Sequence, residues 1–159
     1  HCFNNIKNEY PHLGGSFEVL HYSELISDLI QQEIIKPVVE INTKLAYHDS
    51  CYLGRQNGIY DAPRNVAKSI PGLELIEMEK CRENGFCCGA GGGHMWFEEG
   101  GSQRVNHART DQFLDTNADT VGVSCPFCMQ MMEEGVESKG VSESRKVKDL
   151  VELLEESLG

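Results

Sequence analysis

The sequence predicts an α/β fold: a parallel sheet of about four strands, helices on both faces, and ligand loops at the carboxyl ends of the strands. Three observations lead there. Short apolar runs alternate with stretches of helical periodicity along the whole chain. Glycine and proline punctuate the joints, at Gly14-Gly15, Pro37, Gly54, Gly58 and Pro71-Gly72. Cysteines fall just after two of the strand-like runs, Cys51 after residues 44–48 and Cys125 after residues 120–124. Ligands of open parallel sheets collect at that edge.

Each element has a local reason. Residues 17–20 read as a short strand. Ser23 is placed to cap a helix whose apolar stripe is Leu25, Ile26, Leu29, Ile30 and Ile34. Pro37 stops it, and residues 37–43 form a connection with a short strand at 38–41. Residues 44–48 are a core strand. Asp61 and Pro63 start a helix carrying Val66, Ala67 and Ile70, ended by Pro71-Gly72. Residues 73–78 alternate as a strand does. Residues 83–93 are an irregular, glycine-rich piece. Ser102 is expected to cap a helix to about Asp115, and residues 120–124 form a strand. Pro126 suits the first position of a further helix, with Cys125 at its cap and Cys128 in its first turn. A last helix is expected over 147–158, with Leu150, Val151, Leu154 and Leu158 on one face.

The 159 residues suit one domain of ordinary size, and 40% apolar content is enough for a core. The formal net charge of -11 argues against a broad basic face for nucleic acid. No apolar run is long enough to span a membrane, and no signal peptide is expected. A start at His1 fits an excised piece of a longer protein. Seven cysteines, an odd number in a chain this long, fit metal-bound thiols in a reducing cytoplasm better than a secreted disulfide scaffold.

Five of the cysteines form three groups: Cys51, the pair Cys87-Cys88, and Cys125 with Cys128. Thirty-five residues separate Cys51 from Cys87 and thirty-six separate Cys88 from Cys125. A zinc site or a cubane iron–sulfur cluster takes four ligands, so five leaves one spare. Adjacent side chains in a strand point to opposite faces. Cys87 and Cys88 therefore serve one centre only from an irregular loop, which Gly89, Gly91, Gly92 and Gly93 permit. Adjacent thiolates suit a multinuclear centre better than one small ion. A helix N-terminus at Cys125 and Cys128 stabilises thiolate and favours the reduced state of a cluster.

Cys-x35-Cys-Cys-Gly-x35-Cys-Pro-x-Cys, counted from Cys51 through Cys128, resembles the cysteine-rich CCG motif. That motif occurs in heterodisulfide reductase and in related iron–sulfur proteins of glycolate, lactate and glycerol-3-phosphate oxidation and of thiol-linked fumarate reductase. The stretches 48–55 (HDSCYLGR) and 87–99 (CCGAGGGHMWFEE) are most similar to the iron–sulfur oxidoreductases that pass electrons from electron-transfer flavoprotein to menaquinone. The resemblance implies a noncubane 4Fe-4S cluster held by Cys51, Cys87, Cys88, Cys125 and Cys128, with Gly89 and Gly91 beside it. Some relatives carry zinc in one of two such motifs. An internal echo, Cys2 with Ile6 against Cys128 with Met132, divides the chain into 1–37, the tail of a preceding CCG repeat, and 38–159, a complete cysteine-rich domain. Implied partners are that preceding repeat, a ferredoxin-type cluster domain and a flavoprotein donor. The implied location is the cytoplasm, at the inner face of the membrane within a complex.

Other residues have plainer readings. Cys2 and Cys81 are expected to be free thiols, Cys81 near the site. His48 and His94 flank the ligand loops, as sulfur partners or as structural histidines satisfied by backbone. Trp96 and Phe97 shield the site or fill the core, and Met129, Met131 and Met132 pack. Glu133, Glu134, Glu155 and Glu156 are solvated charges. Three functions follow. The first is an iron–sulfur domain of a larger oxidoreductase, relaying electrons to a disulfide or quinone and not expected to turn over alone. The others are a structural zinc domain and a metal-free thiol–disulfide module.

Overall fold

A computed structural model describes residues 1–97 and 103–159. The sheet is β1 (Thr43–Tyr47), β2 (Leu73–Ile76), β3 (Thr120–Val123) and β4 (Lys146–Asp149), in the order β2-β1-β3-β4 with every pair parallel. Among the described residues six helices accompany it: α1 (Cys2–Asn8), α2 (Tyr22–Gln31), α3 (Asp61–Ser69), α4 (Val105–Leu114), α5 (Pro126–Ser138) and α6 (Leu150–Leu158). Short 3-10 turns lie at Tyr10–Leu13, Arg82–Asn84 and Gly91–Trp96.

Strand periodicity sorts the core into two layers. Leu45 and Tyr47 face α3 and α6 with Val66, Ala67, Ile70, Leu150, Leu153 and Leu154. Ile26 and Ile30 of α2 pack against that layer. Ala46, Val121 and Val123 face α4 and α5 with Phe113, Met131, Met132 and Val136. All four residues of β3 are buried, as in a parallel strand covered on both faces.

Chain order also fixes where a ligand belongs. From β1 the chain steps outward to β2, then returns across β1 to β3 on the other side. The strand order therefore reverses between β1 and β3, and a crevice opens outside their carboxyl ends. Cys51 follows β1 and Cys125 follows β3.

The predicted α/β class holds, but its fourth strand comes from an unexpected place. Residues 17–20 and 38–41 form no strand. Phe17 and Leu20 are exposed, and the Val38 and Val39 amides donate instead to the Ser157 carbonyl at the end of α6. The fourth strand is Lys146–Asp149, where the sequence reads as the start of the last helix. Asp149 ends it by capping α6: its side chain accepts from the Val151 amide at 3.0 Å, and Glu152 accepts from the Asp149 amide at 2.7 Å. At α2 the cap is His21, paired with Glu24, rather than Ser23, which is fully buried. Arg104 precedes α4 as its cap, and the expected cap Ser102 lies outside the described residues. Cys125 and Pro126 take the cap and first positions of α5 as expected.

Candidate metal centre

The loops after β1 and β3 bring Cys51 and Cys125 to the crevice, and the irregular piece after β2 brings Cys87 and Cys88. The loop needs Gly89. Its φ is +93°, and an added Cβ would sit 3.1 Å from Val105 Cβ and 3.2 Å from the Asn106 amide nitrogen. The Gly89 N–H donates to Cys87 Sγ at 3.3 Å. Gly91 differs: its φ is not positive, and a Cβ there meets nothing within 4 Å. It borders an open hollow of about 200 Å³ with Cys87, Gly89 and His94.

The five thiols form one electrostatic unit. Cys128 Sγ lies 3.4 Å from Cys88 Sγ. Hydrogen bonds from Cys128 and Cys87, with a further one from His48, hold the Cys88 thiol far below its usual range against the cost of burial. Cys87 is raised by the same bond to Cys88 and by burial. Cys125 is lowered to about 6, first by the Cys128 hydrogen bond and then by the Cys128 and Phe127 amides at the start of α5. Cys128, shared between Cys125 and Cys88, is raised. Cys51 is raised by burial and by the charge on Cys88. Negative charge thus concentrates on Cys88 and Cys125, and the other thiols surround it.

Two buried arginines organise the surroundings. Neither stood out in the sequence. Arg64 of α3 is 1% exposed. It donates to both oxygens of Asp49 at 2.8 and 2.9 Å, to both of Glu77 at 2.6 and 2.8 Å, and to the Tyr60 carbonyl. Asp49 also accepts from the Arg82 amide at 2.7 Å. One guanidinium therefore ties the segment just before Cys51 to the segments after β2. The only sequence signal is a charged residue on the apolar face of a helix.

Arg109 of α4 is fully buried and donates from Nε to His48 Nδ1 at 3.0 Å. An arginine N–H only donates, so Nδ1 accepts and the ring proton sits on Nε2. The ring nitrogen of His48 and the sulfurs of Cys88 and Cys128 lie within 4.8 Å of one another, a mixed donor set that suits zinc. A neutral imidazole with Nδ1 occupied as acceptor and Nε2 protonated has no lone pair for a metal. The Arg109 bond makes His48 a donor to sulfur. It is satisfied by side chains, not by backbone as its plainer reading expects.

The remaining expectations divide. Cys81 is half-buried, and burial and Glu77 raise its pKa. Cys2 is exposed on α1. Trp96 and Phe97 are 74% and 67% exposed, so neither fills the core. Met131 and Met132 are buried packing residues, as expected. Glu134 is paired with Arg104 and Glu156 with Lys148, not simply solvated. An apolar cavity of about 230 Å³ lies beside Cys125, with Cys2, Phe3, Tyr22, Tyr52 and Phe127 among its walls.

Fold and site together define a class: an α/β domain that gathers five cysteines at the switch point of a parallel sheet. The chain belongs to the cysteine-rich domain family, designated CCG, whose profile matches residues 45–133. It is 48% identical over 97% of its length to the EtfAB:quinone oxidoreductase of Syntrophomonas wolfei. It is 44% identical over 99% to a Bacillus subtilis protein called "Probable iron-sulfur-binding oxidoreductase FadF". To a subunit of the dihydromethanophenazine:CoB–CoM heterodisulfide reductase of Methanosarcina barkeri it is 38% identical over 99%. The chain spans 22%, 22% and 39% of the lengths of these relatives.

Proposed function

We propose that this chain is an electron-transfer domain of a larger oxidoreductase. In this reading Cys51, Cys87, Cys88, Cys125 and Cys128 hold an iron–sulfur cluster, a noncubane 4Fe-4S cluster by its ligand count. The observation that carries the reading is the convergence of thiols from three loops, with Cys128 Sγ 3.4 Å from Cys88 Sγ and Cys51, Cys87 and Cys125 within electrostatic reach of that pair. The donor set is soft and the glycine-edged hollow beside Cys87 is open, which fits a group larger than one ion. When bound, the cluster stores and passes electrons. The chain's own residues orient the sulfurs and stabilise their charge.

Residues 1–37 are read as the tail of a preceding repeat and 38–159 as the complete domain. The apolar cavity beside Cys125 is the route by which a disulfide or quinone acceptor reaches the sulfurs. The proposed partners are a preceding repeat, a ferredoxin-type domain and a flavoprotein donor. The proposed location is the inner face of the cytoplasmic membrane. Among the described residues no helix is long and apolar enough to cross it, so contact would come through other parts of the complex.

The alternative is a structural zinc domain, favoured by the close set of His48, Cys88 and Cys128 and opposed by the Arg109 bond to His48. Anaerobic reconstitution decides. The expected product is brown, with several irons and sulfides per chain and a paramagnetic signal on oxidation. Colourless protein with one zinc per chain would reject the cluster.

A further inference from the structure

Arg109 is a cation with no anion bonded to it among the described residues. It is fully buried, and its acceptors are neutral: His48 Nδ1 at 3.0 Å, the Lys80 carbonyl at 2.9 Å and the Gln112 amide oxygen at 2.7 Å. Its second terminal nitrogen, Nη2, is buried with no hydrogen-bond partner among the described residues. A guanidinium so placed is costly unless negative charge lies close by. Of the acids, Asp49 is within electrostatic reach, but both its oxygens are already bonded to Arg64. The other acidic groups in reach are the thiols of Cys81, Cys128 and Cys88, and of these only Cys88 is lowered.

We infer that Arg109 and His48 are a positioning pair that holds negative charge on the Cys88 sulfur and thereby raises the reduction potential of the centre. The inference rests on the cluster reading above. Arg109 Nε–H fixes the His48 tautomer, and the Nε2–H left on the ring serves Cys88. Reduction adds negative charge at the sulfurs. A fixed buried cation and a hydrogen bond to sulfur both favour that state in a medium of low dielectric. The Gly89 N–H on Cys87, within the loop that carries both cysteines, acts in the same sense.

Two measurements test the pair. In the metal-free full chain, nitrogen NMR of His48 is expected to show Nε2 protonated and Nδ1 accepting. An Nδ1-protonated ring overturns the inference, and this reading does not depend on any cluster. In the reconstituted full chain, potentiometric titration compares the wild type with Arg109→Met and Arg109→Lys, with iron content and circular dichroism as controls. Arg109→Met is expected to weaken reduction at least tenfold, which is about 60 mV for a one-electron couple. Arg109→Lys keeps the charge and is expected to recover at least half. An unchanged potential in Arg109→Met, or an equal loss in both variants, overturns it. If Arg109→Met does not fold, His48→Phe takes its place, and an unchanged potential there overturns it too. A wild-type chain that takes up no iron rejects the cluster reading and with it the claim on potential, and the histidine tautomer then tests only whether Arg109 positions the His48 ring.

Discussion

At the scale of single residues, the two predicted site glycines separate. Gly89 is required by its own backbone, because its φ of +93° and its contact with Val105 leave no room for a Cβ. Gly89→Ala is expected to cost about 1–3 kcal/mol, read as a lower urea midpoint of the metal-free chain. Gly91 has open space where a Cβ would go. Gly91→Ala is expected to leave that midpoint within about 0.5 kcal/mol while lowering iron uptake, because the space lies in the hollow shared with Cys87. An equal stability loss in both variants would show that the glycine loop is purely structural.

At the scale of elements, the Arg64 network joins α3 to the loops after β1 and β2. Removing a buried charge partner leaves the other stranded. Arg64→Met is therefore expected to destabilise the chain by about 3–5 kcal/mol at pH 7. Burial disfavours ionised Asp49, but the Arg64 hydrogen bonds and the Arg82 amide outweigh it and lower its pKa. Arg64 likewise lowers Glu77. Both carboxyls thus titrate below their unfolded values of about 4. The stability they add is present above that pH and is lost as pH falls through the lower folded values. The gap between wild type and Arg64→Met should then shrink between pH 7 and pH 3 in urea titrations. A gap independent of pH would assign the loss to packing.

At the scale of the whole molecule, the core and the site share few residues. Of the five cysteines only Cys88 and Cys128 are buried members of a core layer, with Cys125 packed against it. The layer beneath α3 and α6 contains none of the five. Metal removal by a strong chelator is therefore expected to leave cooperative unfolding and sheet circular dichroism intact. Amide signals should change only in the loops that carry the cysteines. Global loss of structure on chelation would mean that metal and folding are coupled, as in small zinc domains.

Class, the strands β1, β2 and β3, and cysteine grouping were legible because they are local. Apolar runs with period two, proline and glycine at joints, and three spaced thiol groups need no tertiary information. The Lys146–Asp149 strand was not legible. Its alternating lysines run straight into a helix, and only pairing with β3 makes it extended. Capping by His21 was hidden because histidine is a rare cap, and Ser23 two residues on is a common one.

By itself the sequence determined that the chain is an α/β domain carrying five cysteines in the CCG pattern. Only the tertiary structure decided what surrounds them. Arg64 and Arg109 lie far in sequence from Asp49 and His48, and their worth comes from burial. A buried guanidinium takes its meaning from the acceptors that folding places around it, and no local spacing encodes that.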